Sequence, residues 1–215
     1  MIVIDLYTNL FQMTILGVGT AVLFRQAIRT GHKVWILMAM GFFVWFLGDT
    51  YWTMFNLIYQ DSPEFYVSET GWYASYLFLS TALLLVSTEE ERSRRYRLPV
   101  ILVVFAAGMA VFYMTFGDYV SNIICAVLMS LLMFRSARGL LYLKEQGIPV
   151  TAPGKGRFYL SVLLFCAAEY CMWTATCFFG GYTILNPYYW FDILVSLSNA
   201  LILYSLRGGW LDELH

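Results

Sequence analysis

An all-α, polytopic membrane bundle of seven transmembrane helices is the fold this sequence predicts, and three observations lead to it. Of 215 residues, 60% are hydrophobic, 19% aromatic and only 13% charged, which is more apolar surface than a single soluble core hides. The apolar residues gather into seven runs close to the roughly 20 residues that a helix needs to cross a hydrocarbon core of about 30 Å. All 13 Lys and Arg residues fall on one side of those runs. The positive-inside rule then sets the amino terminus outside a cell membrane and the carboxyl terminus in the cytoplasm. The spans form one domain over residues 1–215, with short connections and no room for a soluble domain.

The first span, about 7–27, has no basic flank before it, and Arg25 and Arg29 follow its apolar run. That order fits a helix inserted amino end outward and not a cleaved secretory peptide. The second, about 34–58, contains "FFVWFLGDTYWTMFNLIY" with Asp49 in its interior. The third, about 71–88, ends at "EEERSRRYR" (89–97), read as a solvated helix end and basic anchor with attraction for anionic lipid. The fourth and fifth are about 98–116 and 119–138, and "PGKG" (153–156) precedes the sixth at about 158–180. That tetrapeptide lacks the rest of a phosphate-binding signature. The seventh runs over about 187–206.

An internal repeat emerges when residues 72–88 are laid over 190–206 without a gap. Trp72/Trp190, Leu79/Leu197, Ser80/Ser198, Ala82/Ala200, Leu83/Leu201, Leu85/Leu203 and Ser87/Ser205 are identical. "FRQAIR" (24–29) echoes "FRSARG" (134–139), and "GDTYWT" beside "AEYCMWT" aligns Asp49 with Glu169. Matched members lie four helices apart and so cross in the same direction, which gives a 3+1+3 parallel repeat with the fourth span as connector.

Function is sought among the polar residues inside the spans. A charged group at bilayer depth costs on the order of 2.5–3.5 kcal/mol on insertion scales, so it faces other helices or a wet cavity. Asp49, Glu169 and Asp192 qualify, and no cation lies at their depth to pair with them, because every Lys and Arg sits at a cytoplasmic end. They hold protons, share one, or bind something positive. On a helix, residues at i, i+4 and i+7 share a face. Asp49, Thr53 and Asn56 do so on the second helix, and Asp192, Ser196 and Asn199 on the seventh. Trp52, Tyr76 and Trp173 add rings that could line a pocket or meet a cation with a π face. The expected ligand-binding set is therefore Asp49, Trp52, Thr53, Tyr76, Glu169, Trp173, Asp192 and Asn199, in an outward-facing pocket between helices two, three, six and seven.

Other chemistries find no support. Cys125, Cys166, Cys171 and Cys177 lie within spans, without the spacing of a zinc site or a disulfide framework. His32 and His215 both fall on the cytoplasmic side, so no metal site is expected among the acids. No cofactor is expected; the seventh helix lacks the Lys that a retinal Schiff base requires. A nucleic-acid partner is not expected either, because the cations mark topology and not a basic face. "NPYYW" (186–190) has Trp190 where the receptor signature of that form requires Tyr, and it stands at the opposite membrane face.

"FLGDTYW", an outer loop with Pro63, and then "SETGWYASYLFLSTALLL" resemble the membrane input regions of bacterial diguanylate cyclases and histidine kinases, as does the closing "WFDILVSLSNALIL". The resemblance implies a seven-helix, receptor-like sensor of an external small molecule. No output domain follows Trp210, so the expectation is a stand-alone sensor that engages a cytoplasmic signalling partner near its basic loops. "GDTYW" is also similar to the lysoplasmalogenase-like membrane hydrolases, which would make Asp49 and Glu169 an acid/base pair acting on lipid. A proton-coupled transporter built on the repeat is the remaining alternative.

Overall fold

A computed structural model of the chain describes residues 3–59, 65–149, 154–181, 183–207 and 210–211. Among the described residues it contains eight helices and no strand: α1 (Val3–Thr30), α2 (Lys33–Tyr59), α3 (Phe65–Val86), α4 (Glu89–Ser93), α5 (Arg97–Met114), α6 (Tyr119–Glu145), α7 (Lys155–Phe178) and α8 (Pro187–Ser205). The seven long ones correspond to the seven expected runs, and the short α4 is additional. Two boundaries differ in ways that matter below: α3 begins at Phe65 and not near 71, and α6 continues to Glu145 and not 138.

Local chemistry explains the ends. Gly31 takes φ +65° and its N–H bonds Ala27 O at 2.8 Å, which closes α1 through a conformation that side-chain-bearing residues rarely adopt. Asp118 caps α6 by accepting from Ser121 N at 3.3 Å. Asn186 caps α8 by accepting from Tyr188 N at 3.0 Å, and Pro187 opens that helix, where its missing N–H costs nothing.

Five helices, α1, α2, α5, α6 and α7, are long and apolar enough to cross a membrane. In α3 and α8 a run of polar residues lowers the mean hydropathy, and those residues point inward: Ser68, Glu69, Ser75 and Ser80 on α3, and Asp192, Ser196, Ser198 and Asn199 on α8, are all buried. Meanwhile Leu47, Leu77, Val104, Val127, Leu164 and Leu201 are exposed. Polar inside and apolar outside is the arrangement of a helical membrane bundle, in which each helix satisfies its own backbone hydrogen bonds.

Around the bundle the neighbours run α1, α2, α3, α6, α7, α8 and back to α1, with α5 outside this ring against α6. Small residues set the closest approach. Built at Gly71, a Cβ would stand 2.6 Å from Val44 O, and at Gly48 it would stand 2.9 Å from Ser68 O. Hence α2 and α3 meet backbone to backbone, a packing that a bilayer favours because lipid supplies no hydrophobic drive to push helices together.

The end of the bundle that carries the cations is closed by a buried cluster. Glu91 in α4 is fully buried, where its neighbours Glu89, Glu90 and Arg92 are exposed. Lys155 Nζ donates to its Oε2 at 2.7 Å and Tyr159 OH to its Oε1 at 2.8 Å, while Thr88 caps its backbone N–H at 3.2 Å. This corrects the expectation that residues 89–97 are wholly solvated. The third position of the acidic triplet turns inward because the α4 turn hangs it over the start of α7. Arg135 also departs from expectation, since it bonds Ser80 O and Oγ across to α3 from ten residues inside the end of α6. Removing the tyrosine hydroxyl with Tyr159→Phe should lower stability by about 1.5–3 kcal/mol, the range for hydrogen bonds to charged groups. Denaturation of the detergent-purified protein would measure it, and an unchanged transition would show the bond to be dispensable.

Candidate functional site

The three interior acids reach one level by helix length alone. Asp49 stands 16 residues from Lys33, Glu169 14 from Lys155 and Asp192 13 from Ser205. At ~1.5 Å per residue all three lie roughly 20–24 Å above the cationic end. The α2–α3 glycine contact then decides what Asp49 meets. With the backbones touching at Gly48 and Gly71, the next residues face each other, and Trp72 Nε1 donates to Asp49 Oδ1 at 2.8 Å.

A cavity of about 610 Å³ opens at this level, at the end of the bundle where α1 begins. Its wall takes residues from all seven long helices, more than the four expected. Of the anticipated set, Asp49, Trp52, Tyr76, Glu169, Trp173 and Asp192 line it. Thr53 and Asn199 do not. Both are buried, but Thr53 lies a turn beyond Asp49 and Asn199 two turns below Asp192, where helix packing fills the space.

Tyr76 OH donates to Glu169 Oε1 at 3.2 Å, and Trp45 packs edge-on against Tyr76 with ring centroids 5.7 Å apart. The Trp52 and Trp72 rings lie 6.4 Å apart, and Trp173 stands edge-on to Tyr113 at 6.2 Å. By hydrogen-bond distance and angle Asp49 Oδ2 and Asp192 Oδ2 are buried without a partner among the described residues, although Trp45 and Thr8 respectively lie near enough to influence those carboxyls. Asp49, Glu169 and Asp192 thus share one cavity, Glu169 with the Tyr76 hydroxyl on it and Asp49 with the Trp72 indole.

Glu69 is the principal residue that sequence reasoning missed. It is buried, lines the cavity and accepts from Ser121 Oγ, which also bonds Tyr73 OH. With α3 expected to begin near 71, Glu69 falls in a loop, yet the spacing Glu69, Tyr73, Tyr76 already marks one helical face. Trp72 and Tyr188 also line the cavity. Asp118 completes the set, so among the described residues the lining holds five carboxyl groups and no Lys, Arg or His.

Fold and cavity together define the class: a helical membrane bundle enclosing an acidic, aromatic-walled chamber toward one end. No family model matches the chain, and neither a curated protein nor a solved structure does. The site is therefore read from its own geometry.

Proposed function

We propose that this chain is a receptor-like membrane protein that binds a small ligand in the 610 Å³ cavity, with seven spans and the cavity facing outward. The observation that carries the reading is the gathering of carboxyls and ring faces from separate helices around one open space, where helix packing would ordinarily fill it. Seven spans are supported by the placement of α3 between α2 and α6, and of α8 between α7 and α1, within the ring of apolar helices. The outward orientation rests on the cations, which stand at the opposite end from the cavity and so favour the cytoplasm. A ligand that prefers one arrangement of the helices would shift their equilibrium by its differential affinity, and a partner docked at the basic end would read the shift. That partner is part of the proposal, as is contact of the exposed apolar faces with membrane lipid.

A ligand at 100 times its Kd stabilises the state it binds by about 2.7 kcal/mol. A thermal-shift screen of organic cations, neutral amphiphiles and lipids should therefore find compounds that raise the Tm of wild type and raise that of Asp49→Asn less. A flat response of wild type to the whole panel would remove the binding reading.

The cyclic order of the helices favours a second reading, a transporter. A parallel repeat of α1–α3 onto α6–α8 would require α3 to meet α6 as α8 meets α1, and both contacts are present. Against it, the aligned tryptophans differ in environment: Trp72 bonds Asp49, whereas Trp190 is exposed and donates to Ile184 O at 2.8 Å. Proton-dependent uptake into liposomes that disappears in Asp49→Asn would replace the receptor reading with this one.

A further inference from the structure

We propose that the ligand is a protonated organic amine, its ammonium held by the carboxyl groups of Asp49 and Asp192 and its hydrocarbon body laid against the indoles of Trp52, Trp72 and Trp173. The inference rests on the binding reading above and adds the chemistry of the ligand.

Charge comes first. Among the described residues five carboxyl-bearing side chains line the cavity and no basic one does, so charge on any of them repels an anion and attracts a cation. An inorganic ion is the smallest candidate, and the geometry speaks against it. Among the described residues no three acidic, cysteine or histidine side chains converge as metal ligands do, whereas a bound Ca²⁺ gathers six to eight oxygens at roughly 2.3–2.6 Å. The acids are instead spread around a chamber of about 610 Å³, which suits a body of several carbon atoms carrying its charge on one group.

Hydrogen bonding then separates the organic cations. Asp49 is 8% exposed and Asp192 4% exposed, and each has one carboxyl oxygen, enclosed in the cavity wall, without a hydrogen-bond partner. A buried acceptor left unpaired is costly, so a ligand toward which both carboxyls turn recovers what the empty chamber forgoes. A primary ammonium carries N–H donors for both. A quaternary ammonium has the charge and none of the donors, and a neutral alcohol has one donor and no charge. The tryptophan faces favour a cation as well, since a ring quadrupole attracts positive charge, the more so when it is desolvated.

The test compares three probes of similar shape on the full chain in detergent: 2-phenylethylammonium, its N,N,N-trimethyl analogue and neutral 2-phenylethanol, each titrated by calorimetry. The primary ammonium should bind at least tenfold more tightly than either of the others. Asp49→Asn and Asp192→Asn should each weaken it at least tenfold. Equal or tighter binding of the trimethyl analogue or the alcohol overturns the amine assignment and leaves the binding reading in place. No binding by any of the three also overturns it, and the binding reading is then decided by the broader panel above. The comparison on wild type needs no substitution, so a variant that fails to fold does not spare the proposal.

Discussion

Glu91→Ala is expected to destabilise the bundle by about 3–5 kcal/mol, the usual result of removing one partner from a buried ion pair. The carboxylate is fully buried, while the Lys155 side chain retains 15% of its exposure. Truncation would strand the ammonium over the Tyr159 ring, whose centroid lies 5.6 Å away, and leave the tyrosine hydroxyl without its acceptor. Thermal denaturation in detergent measures the loss. Lys155→Met together with Glu91→Gln should recover most of it, because removing both charges avoids the uncompensated one. If the single substitutions at Glu91 and Lys155 prove independent and additive, the two groups do not act as a pair.

Gly71→Ala should cost about 1–3 kcal/mol, the range for forcing extra volume into a filled interior. The added methyl would approach Val44 O to 2.6 Å, and a main-chain atom cannot swing away as a side chain can. The two helices must part, and Trp72 must part from Asp49 with them. Stability should therefore fall together with the ligand-induced rise in Tm. Other glycines supply the scale: Gly41 would meet Phe78 Cβ at 3.2 Å and should suffer less, and Gly108, with nothing within 4 Å, should tolerate alanine. Equal melting temperatures for Gly71→Ala and Gly108→Ala would show that the α2–α3 contact is not under packing constraint.

The two substitutions probe opposite ends of the molecule and differ in how far sequence anticipates them. Near Gly71 the residues were visible as a motif, but not their meeting. "GDTYW" and "ETGWY" each look like an ordinary stretch of apolar helix with one acid, and only the crossing of α2 and α3 sets Trp72 against Asp49. At Glu91 sequence reasoning was misled. Three consecutive glutamates beside four arginines read as a solvated run, and burial of the third follows from where α4 hangs over α7, not from its composition.

The same division runs through the cavity. Asp49, Glu169 and Asp192 were legible because a carboxyl in an apolar span is costly and needs company. Glu69 was not, because its visibility depended on α3 starting six residues earlier than the apolar run suggests. Thr53 and Asn199 were placed by helical spacing on the correct faces of their helices but beyond the cavity, since spacing fixes direction around a helix and says little of how deep an opening runs.

By itself the amino-acid order determined that this chain folds as long apolar helices, where those helices lie, and that the acids inside its spans and its cations belong to different levels. Bilayer thickness and the cost of burying charge impose these features on each segment separately, so they can be read one segment at a time. Tertiary structure alone decided how each helix is rotated and how closely it approaches its neighbours. Helices that are apolar on nearly every side carry little preference for a facing direction, and contacts such as Gly48 against Gly71 supply it. From those contacts come the cavity, the pairing of Trp72 with Asp49, and the unpartnered oxygens that point to an amine.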